Sequence, residues 1–208
     1  MARGRHERTI MDDDAIWLVI DDGRAAAADL LESLTPEQLA TPSLCDGWTV
    51  RDVGAHLAMA PNTKLPQMIA GMVRYRFRFN PMIRGLTLER SAARTDAQIV
   101  ADLRDVVGSR RGVPGTSPVD AMLDVLVHTQ DMVRPLGIEV AMPAEASAAA
   151  AEHAWKRKFP FFPERRLAGL RLVATDTDWS YGEGPEVRAT AGDLLLMTTG
   201  RLPRPDGV

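Results

Sequence analysis

Between Val119 and Leu136 the chain is apolar on nearly every side that a helix can present. Met122, Val125, Leu126, Met132 and Val133 cover one side, and Leu123 and Val127 flank the other. Asp120, Asp124, His128 and Asp131 form the one polar seam, within roughly 80° of arc at about 3.6 residues per turn. A helix apolar almost all round must be enclosed by protein. A buried seam must then be paired, by a metal ion or by a closed set of hydrogen bonds. The exposed alternative pairs Asp131 with Arg134 on the surface.

Other segments offer the enclosing helices. Ile16, Leu18, Val19, Ala26, Leu30, Leu31 and Leu34 recur at helical spacing from Asp14 to Leu34, and Thr35-Pro36 closes that segment. Thr49 and Asp52 form a capping-box pattern for a helix running to about Ala60, before Pro61. A further helix is expected from about Thr63 to Phe79, ended by Pro81, and another from Asp96 to Arg110. Gly137 follows the polar-seamed helix as its cap. Successive helices with short connections predict a mainly α four-helix bundle over 11–137.

After Pro143 an alanine-rich helix reaches about Lys158, and Phe159-Pro-Phe-Phe-Pro163 breaks it, so 138–163 reads as a connecting helix and turn. The pattern then changes. Leu170, Leu172 and Ala174 alternate with Arg171, Val173 and Thr175 as a strand does, Trp179 and Tyr181 begin a second, and Glu186 to Ala189 suit a third. Thr190 caps a short helix ended by Gly200. This α+β unit, 164–201, is too small for a core of its own, so a small antiparallel sheet packed on the bundle is expected.

Composition narrows the partners. A net charge of −3 over 208 residues is no footprint for nucleic acid. No apolar run approaches the ~20 residues of a membrane span, so no membrane partner is expected. The basic start, Met1 to Arg8, is not followed by an apolar leader run, and a single cysteine, Cys45, excludes an intrachain disulfide. These features predict a cytoplasmic protein, with Cys45 a packed structural thiol.

Chemistry enters with His56, at the end of Trp48-Thr-Val-Arg-Asp-Val-Gly-Ala-His56, read beside Asp124-Val-Leu-Val-His128. Residues four apart on a helix share one face. Three protein ligands to a divalent ion leave a position open for substrate or water, as catalytic metals require. From its own helix alone, His56 equally suits a packed, hydrogen-bonded histidine.

Leu44-Cys-Asp-Gly-Trp-Thr-Val-Arg-Asp-Val-Gly-Ala-His-Leu57 resembles the N-terminal signature of the mycothiol-dependent maleylpyruvate isomerase family, among the DinB-like metal-binding bundles. Asp124-Val-Leu-Val-His-Thr-Gln-Asp131 looks like that family's second metal-binding helix. Gly169 to Trp179, Gly182 to Arg188, Leu194 to Leu196 and Gly200-Arg201 look like its C-terminal region. The resemblance implies His56, Asp124 and His128 as metal ligands and mycothiol as a thiol co-substrate. It also implies a catalytic arginine, with Arg188 and Arg201 both candidates. Asp124 departs from the family's glutamate; one methylene shorter, it either draws the helix closer or binds through water.

A neutral imidazole pair with one carboxylate suits Zn²⁺ and related ions. The implied activity is metal-dependent activation of a thiolate, for isomerisation or S-conjugation of a small electrophile. The alternatives are a metal-binding regulatory or partner-binding module without catalysis, and a bundle whose site stays vacant.

Overall fold

Local signals in the sequence set where the chain starts and stops its helices, and those boundaries aim the polar seam inward. The computed structural model describes residues 11–204. The basic start, Met1 to Arg8, lies outside the described residues. Helix α1 spans Asp13–Ser33, capped by Asp12 accepting from the Ala15 amide at 2.8 Å. A short α2, Pro36–Leu39, precedes α3, Val50–Met59. The capping box read from Thr49 and Asp52 forms: the Thr49 amide donates to Asp52 Oδ2 at 2.8 Å and the Asp52 amide to Thr49 Oγ1 at 3.2 Å.

The single helix expected over Thr63 to Phe79 is two. Helix α4 spans Leu65–Arg74, and α5 spans Phe79–Ala92. Pro81 does not end a helix; it lies in the first turn of α5, where a missing N–H leaves no helical hydrogen bond unmade. Helix α6, Asp96–Arg104, also stops earlier than its apolar spacing suggests. Side chains of α1 take up the backbone beyond it: Arg24 donates to the Val106 and Ser109 carbonyls at 2.9 and 3.0 Å, and Asp21 accepts from the Gly108 amide at 2.8 Å.

Helix α7, Pro118–Val133, carries the seam and runs into a 3₁₀ turn, Arg134–Leu136. Helices α1, α6, α3 and α7 form a closed four-membered ring, each packed on the next and α7 returning to α1. Helix α7 enters two apolar clusters. Met122, Leu123, Leu126 and Val127 join α1 and the C-terminal elements, while Val125 and Met132 join α3 and α6. That double burial is why it is apolar almost all round. Among the described residues no helix is long and apolar enough to cross a membrane.

Helix α8, Ala144–Arg157, packs on α7 with its alanine face and on α10, Ala191–Thr199, on another side. A short α9, Glu164–Leu167, leads to strands β1, Arg171–Ala174, β2, Ser180–Gly182, and β3, Glu186–Ala189. The sheet order is β2-β1-β3. The expected antiparallel sheet is half right: β1 and β2 are antiparallel, but β3 runs parallel to β1. The chain crosses the start of β1 in a short connection through Gly184, φ 126°, where any Cβ would strike the Gly169 carbonyl.

Candidate metal centre

Helices α3 and α7 lie side by side, and the seam of α7 faces the last turn of α3. There His56 and His128, both buried, meet Asp124. His56 Nε2 lies 3.5 Å from Asp124 Oδ1, and His128 Nε2 lies 3.4 Å from the same oxygen. The three donor atoms all fall within 4.8 Å of one another. Asp124 therefore reaches both imidazoles despite being shorter than glutamate.

Each imidazole is held by its other nitrogen. His128 Nδ1 lies 2.8 Å from Asp131 Oδ2; an ionised carboxylate only accepts, so Nδ1 carries a proton and Nε2 is the nitrogen that holds either a second proton or a metal ion. His56 Nδ1 lies 3.2 Å from the hydroxyl of fully buried Thr87 on α5, which accepts in the tautomer that frees Nε2. Carboxylate or hydroxyl partners of this kind set ring orientation in metal-ligating histidines.

Asp131 is the hub behind His128. It is fully buried, and Arg201 grips it twice, Nε to Oδ1 at 3.2 Å and Nη2 to Oδ2 at 3.1 Å. The Cys45 thiol donates to Oδ2 at 3.0 Å. Arg201 arrives from beyond α10 because Gly200, in the left-handed region at φ 82°, turns the chain back at the helix end. The surface pairing of Asp131 with Arg134 does not form; Arg134 pairs with Asp193 at 2.7 Å.

Charge is arranged to favour a cation at one point. Burial works against the Asp124 carboxylate, yet the two imidazoles overcome it and hold the group far below the usual carboxylate range. Burial likewise disfavours charged His128, but Asp124, Asp131 and Cys45 raise it well above the ordinary imidazole value. Asp131 is depressed against its own burial by His128 and Arg201. The cluster thus calls for positive charge where the Nε2 atoms meet Asp124, a proton or a metal ion.

The donor set fits a divalent metal. Two ligands each about 2.0–2.2 Å from zinc at a tetrahedral angle stand about 3.3–3.6 Å apart, the separations found at Asp124. Cys45, His128 and Asp131 form a second group of donors within the same reach. Their donors are already committed to one another, and the Arg201 guanidinium, with Nη2 3.7 Å from Cys45 Sγ, opposes a cation there. The Trp48 ring lies tilted against both imidazoles, its centroid 5.1 Å from that of His56 and 6.1 Å from that of His128, and among the described residues its buried Nε1 has no hydrogen-bond partner.

Of the seam residues, Asp120 leaves the cluster: it pairs with His153 at 2.9 Å and Arg157 at 3.0 Å and caps α7 through Ser117. Of the two candidate arginines, Arg201 is brought to the site, whereas Arg188 is exposed on β3 beside Glu186. Sequence reasoning missed Thr87, because α5 itself was missed. It assigned Cys45 a packing role, and the thiol proves to be tied to Asp131.

Comparison with known proteins bears on this geometry. The family model described as the mycothiol maleylpyruvate isomerase N-terminal domain matches residues 20–142, more than half of the chain. Among solved structures, a crystal structure of the mycothiol-dependent maleylpyruvate isomerase is similar with a TM-score of 0.61 at 12% identity, covering 92% of this chain and 90% of that one. A histidine-to-alanine variant of that enzyme gives 0.59 at 15% identity over the same shares. At such identity these likenesses establish the fold. Among curated proteins, no relative matches this sequence.

Proposed function

The chain belongs to the mycothiol maleylpyruvate isomerase family through its N-terminal domain, and from that membership we propose that it is a metal-dependent, mycothiol-dependent enzyme acting on a small electrophile. The observation that carries the proposal is the convergence of His56 Nε2 and His128 Nε2 on one oxygen of Asp124, at 3.5 and 3.4 Å. Three protein ligands leave room for a fourth. A divalent ion held there, zinc by the character of the donors, supplies a Lewis acid that stabilises the thiolate form of an incoming thiol.

The chain's own residues prepare that position. Asp131 and Thr87 hold the two rings so that both Nε2 atoms face Asp124. Arg201 balances the second carboxylate, so that Asp131 stays ionised and keeps accepting from His128. Asp124 would offset one positive charge of a bound ion. Trp48 walls the site with an apolar ring, and its unpartnered N–H is a donor that a bound carboxylate or carbonyl would satisfy. Addition of the thiolate to an activated double bond, rotation and elimination isomerises the substrate and returns the thiol. Return of the thiol's proton to the carbanion formed by addition, in place of elimination, leaves the S-conjugate.

The test compares metal content, circular dichroism and mycothiol-dependent turnover for the wild type and His128→Ala. The expected result is a folded variant that has lost both metal and activity. Activity that survives thorough metal removal, or a variant with full activity, contradicts the proposal.

A further inference from the structure

Helix α4 turns an apolar face outward. Leu65, Ile69 and Val73 recur every four residues along it and are 50, 55 and 60% exposed, with Pro66 and Ala70 exposed beside them. Its buried side rests on α5, where Gly71 lies against Met82 and Leu86. Beyond Arg74 the chain passes through two consecutive left-handed residues, Arg76 at φ 54° and Phe77 at φ 60°, and Phe77 stands 73% exposed. Core packing accounts for none of these side chains, and contiguous exposed apolar surface of this kind marks an interaction site.

Charge identifies the partner. Between Asp52 and Glu89 the chain has no carboxylate side chain, yet it carries Lys64, Arg74, Arg76, Arg78 and Arg84, in a protein of net charge −3. Arg74 is paired with Glu89 at 2.6 Å. Lys64 stands at the helix start and the arginines at and beyond its end, so cations bracket the apolar face. A symmetric contact between two copies sets the same patch against itself and brings like charges together. A nucleic-acid backbone would meet the cations but bury the apolar file against phosphates. An anionic lipid surface answers both, with headgroups on the cations and the acyl boundary beneath the apolar side chains.

We infer that α4 and the turn after it dock the protein peripherally on anionic membranes. The expectation of no membrane partner rests on the lack of a spanning run, and peripheral docking needs none. The inference is independent of the metal centre.

The experiment is co-sedimentation of the full-length protein with phosphatidylcholine vesicles, with and without phosphatidylglycerol. Binding is expected only with phosphatidylglycerol, weakening as salt rises. The double variants Ile69→Glu/Val73→Glu and Arg76→Glu/Arg78→Glu should each reduce it about tenfold or more, with circular dichroism and metal content unchanged. Three results overturn the inference: no binding to either vesicle, equal binding to the neutral one, or a wild-type dimer that Ile69→Glu/Val73→Glu dissociates. The wild-type comparison of vesicles decides membrane binding even if one variant fails to fold, and a folded variant of either pair that binds as the wild type does also overturns the inference.

Discussion

Arg201 clamps the carboxylate of Asp131 with two hydrogen bonds, 3.2 and 3.1 Å, across 70 positions of sequence. The same carboxylate accepts a hydrogen bond from His128 Nδ1–H at 2.8 Å. The C-terminal unit therefore reaches the candidate metal centre through one buried anion, and the orientation of His128 on α7 depends on a residue beyond α10.

Asp131→Asn keeps the shape of that anion and removes its charge. We predict metal affinity about 10–100-fold weaker, the usual consequence of losing a histidine's outer partner, with the helical spectrum retained. Competition against a chromophoric chelator measures it, and unchanged affinity would show that Asp131 does not position His128.

Arg201→Met leaves Asp131 buried with one cationic partner fewer. Breaking a buried pair costs about 3–5 kcal/mol, to be read from the urea unfolding midpoint. Adding Asp131→Asn to Arg201→Met should recover part of the loss, since the stranded charge is then gone. Two independent, additive losses would refute the coupling.

In the metal-free protein the His128 pKa is raised well above 6.5, so the ring holds its proton at neutral pH. Metal uptake must displace that proton. Apparent affinity is therefore expected to climb as pH rises above 6.5 and to level off once the raised value is passed. Calorimetry in buffers of differing ionisation enthalpy counts the protons released, and pH-independent affinity without release contradicts the assignment.

Asp120 governs a separate acid transition. Burial opposes its charge, but His153 and Ser117 outweigh burial and lower its pKa from 3.8 to about 2. Its contribution is complete above 3.8 and is lost as pH falls through about 2. Asp120→Asn should cost on the order of 1–2 kcal/mol at neutral pH, after allowance for partial solvent screening. The difference from wild type should vanish in acid, and a constant penalty down to the lowest pH would assign the loss to packing.

Much of the centre was legible where its signal is periodic. The seam of α7 marked Asp120, Asp124, His128 and Asp131 by position, because a doubly buried helix leaves few places for charge, but position did not separate Asp120, which pairs with His153 and Arg157 instead. His56 is a weaker case: its own helix allows a packed histidine, and the surrounding motif was needed to join it to α7. Thr87 was illegible for a local reason, since Pro81 was read as a stop when it occupies a first turn. The partnership of Arg201 with Asp131 has no local signature, being made by the turn at Gly200 and the docking of α10. The parallel pairing of β3 was equally hidden: the short connection reverses the chain after β2, and no local signal says that β3 crosses β1 to pair on its far side.

X-ray absorption at the zinc edge of the zinc-loaded protein tests most directly which donors hold the ion. Two imidazole nitrogens with oxygen neighbours and no sulfur shell is the predicted result, placing zinc among His56, Asp124 and His128. A sulfur scatterer near about 2.3 Å in thiol-free buffer would put the ion at Cys45 instead and contradict the account.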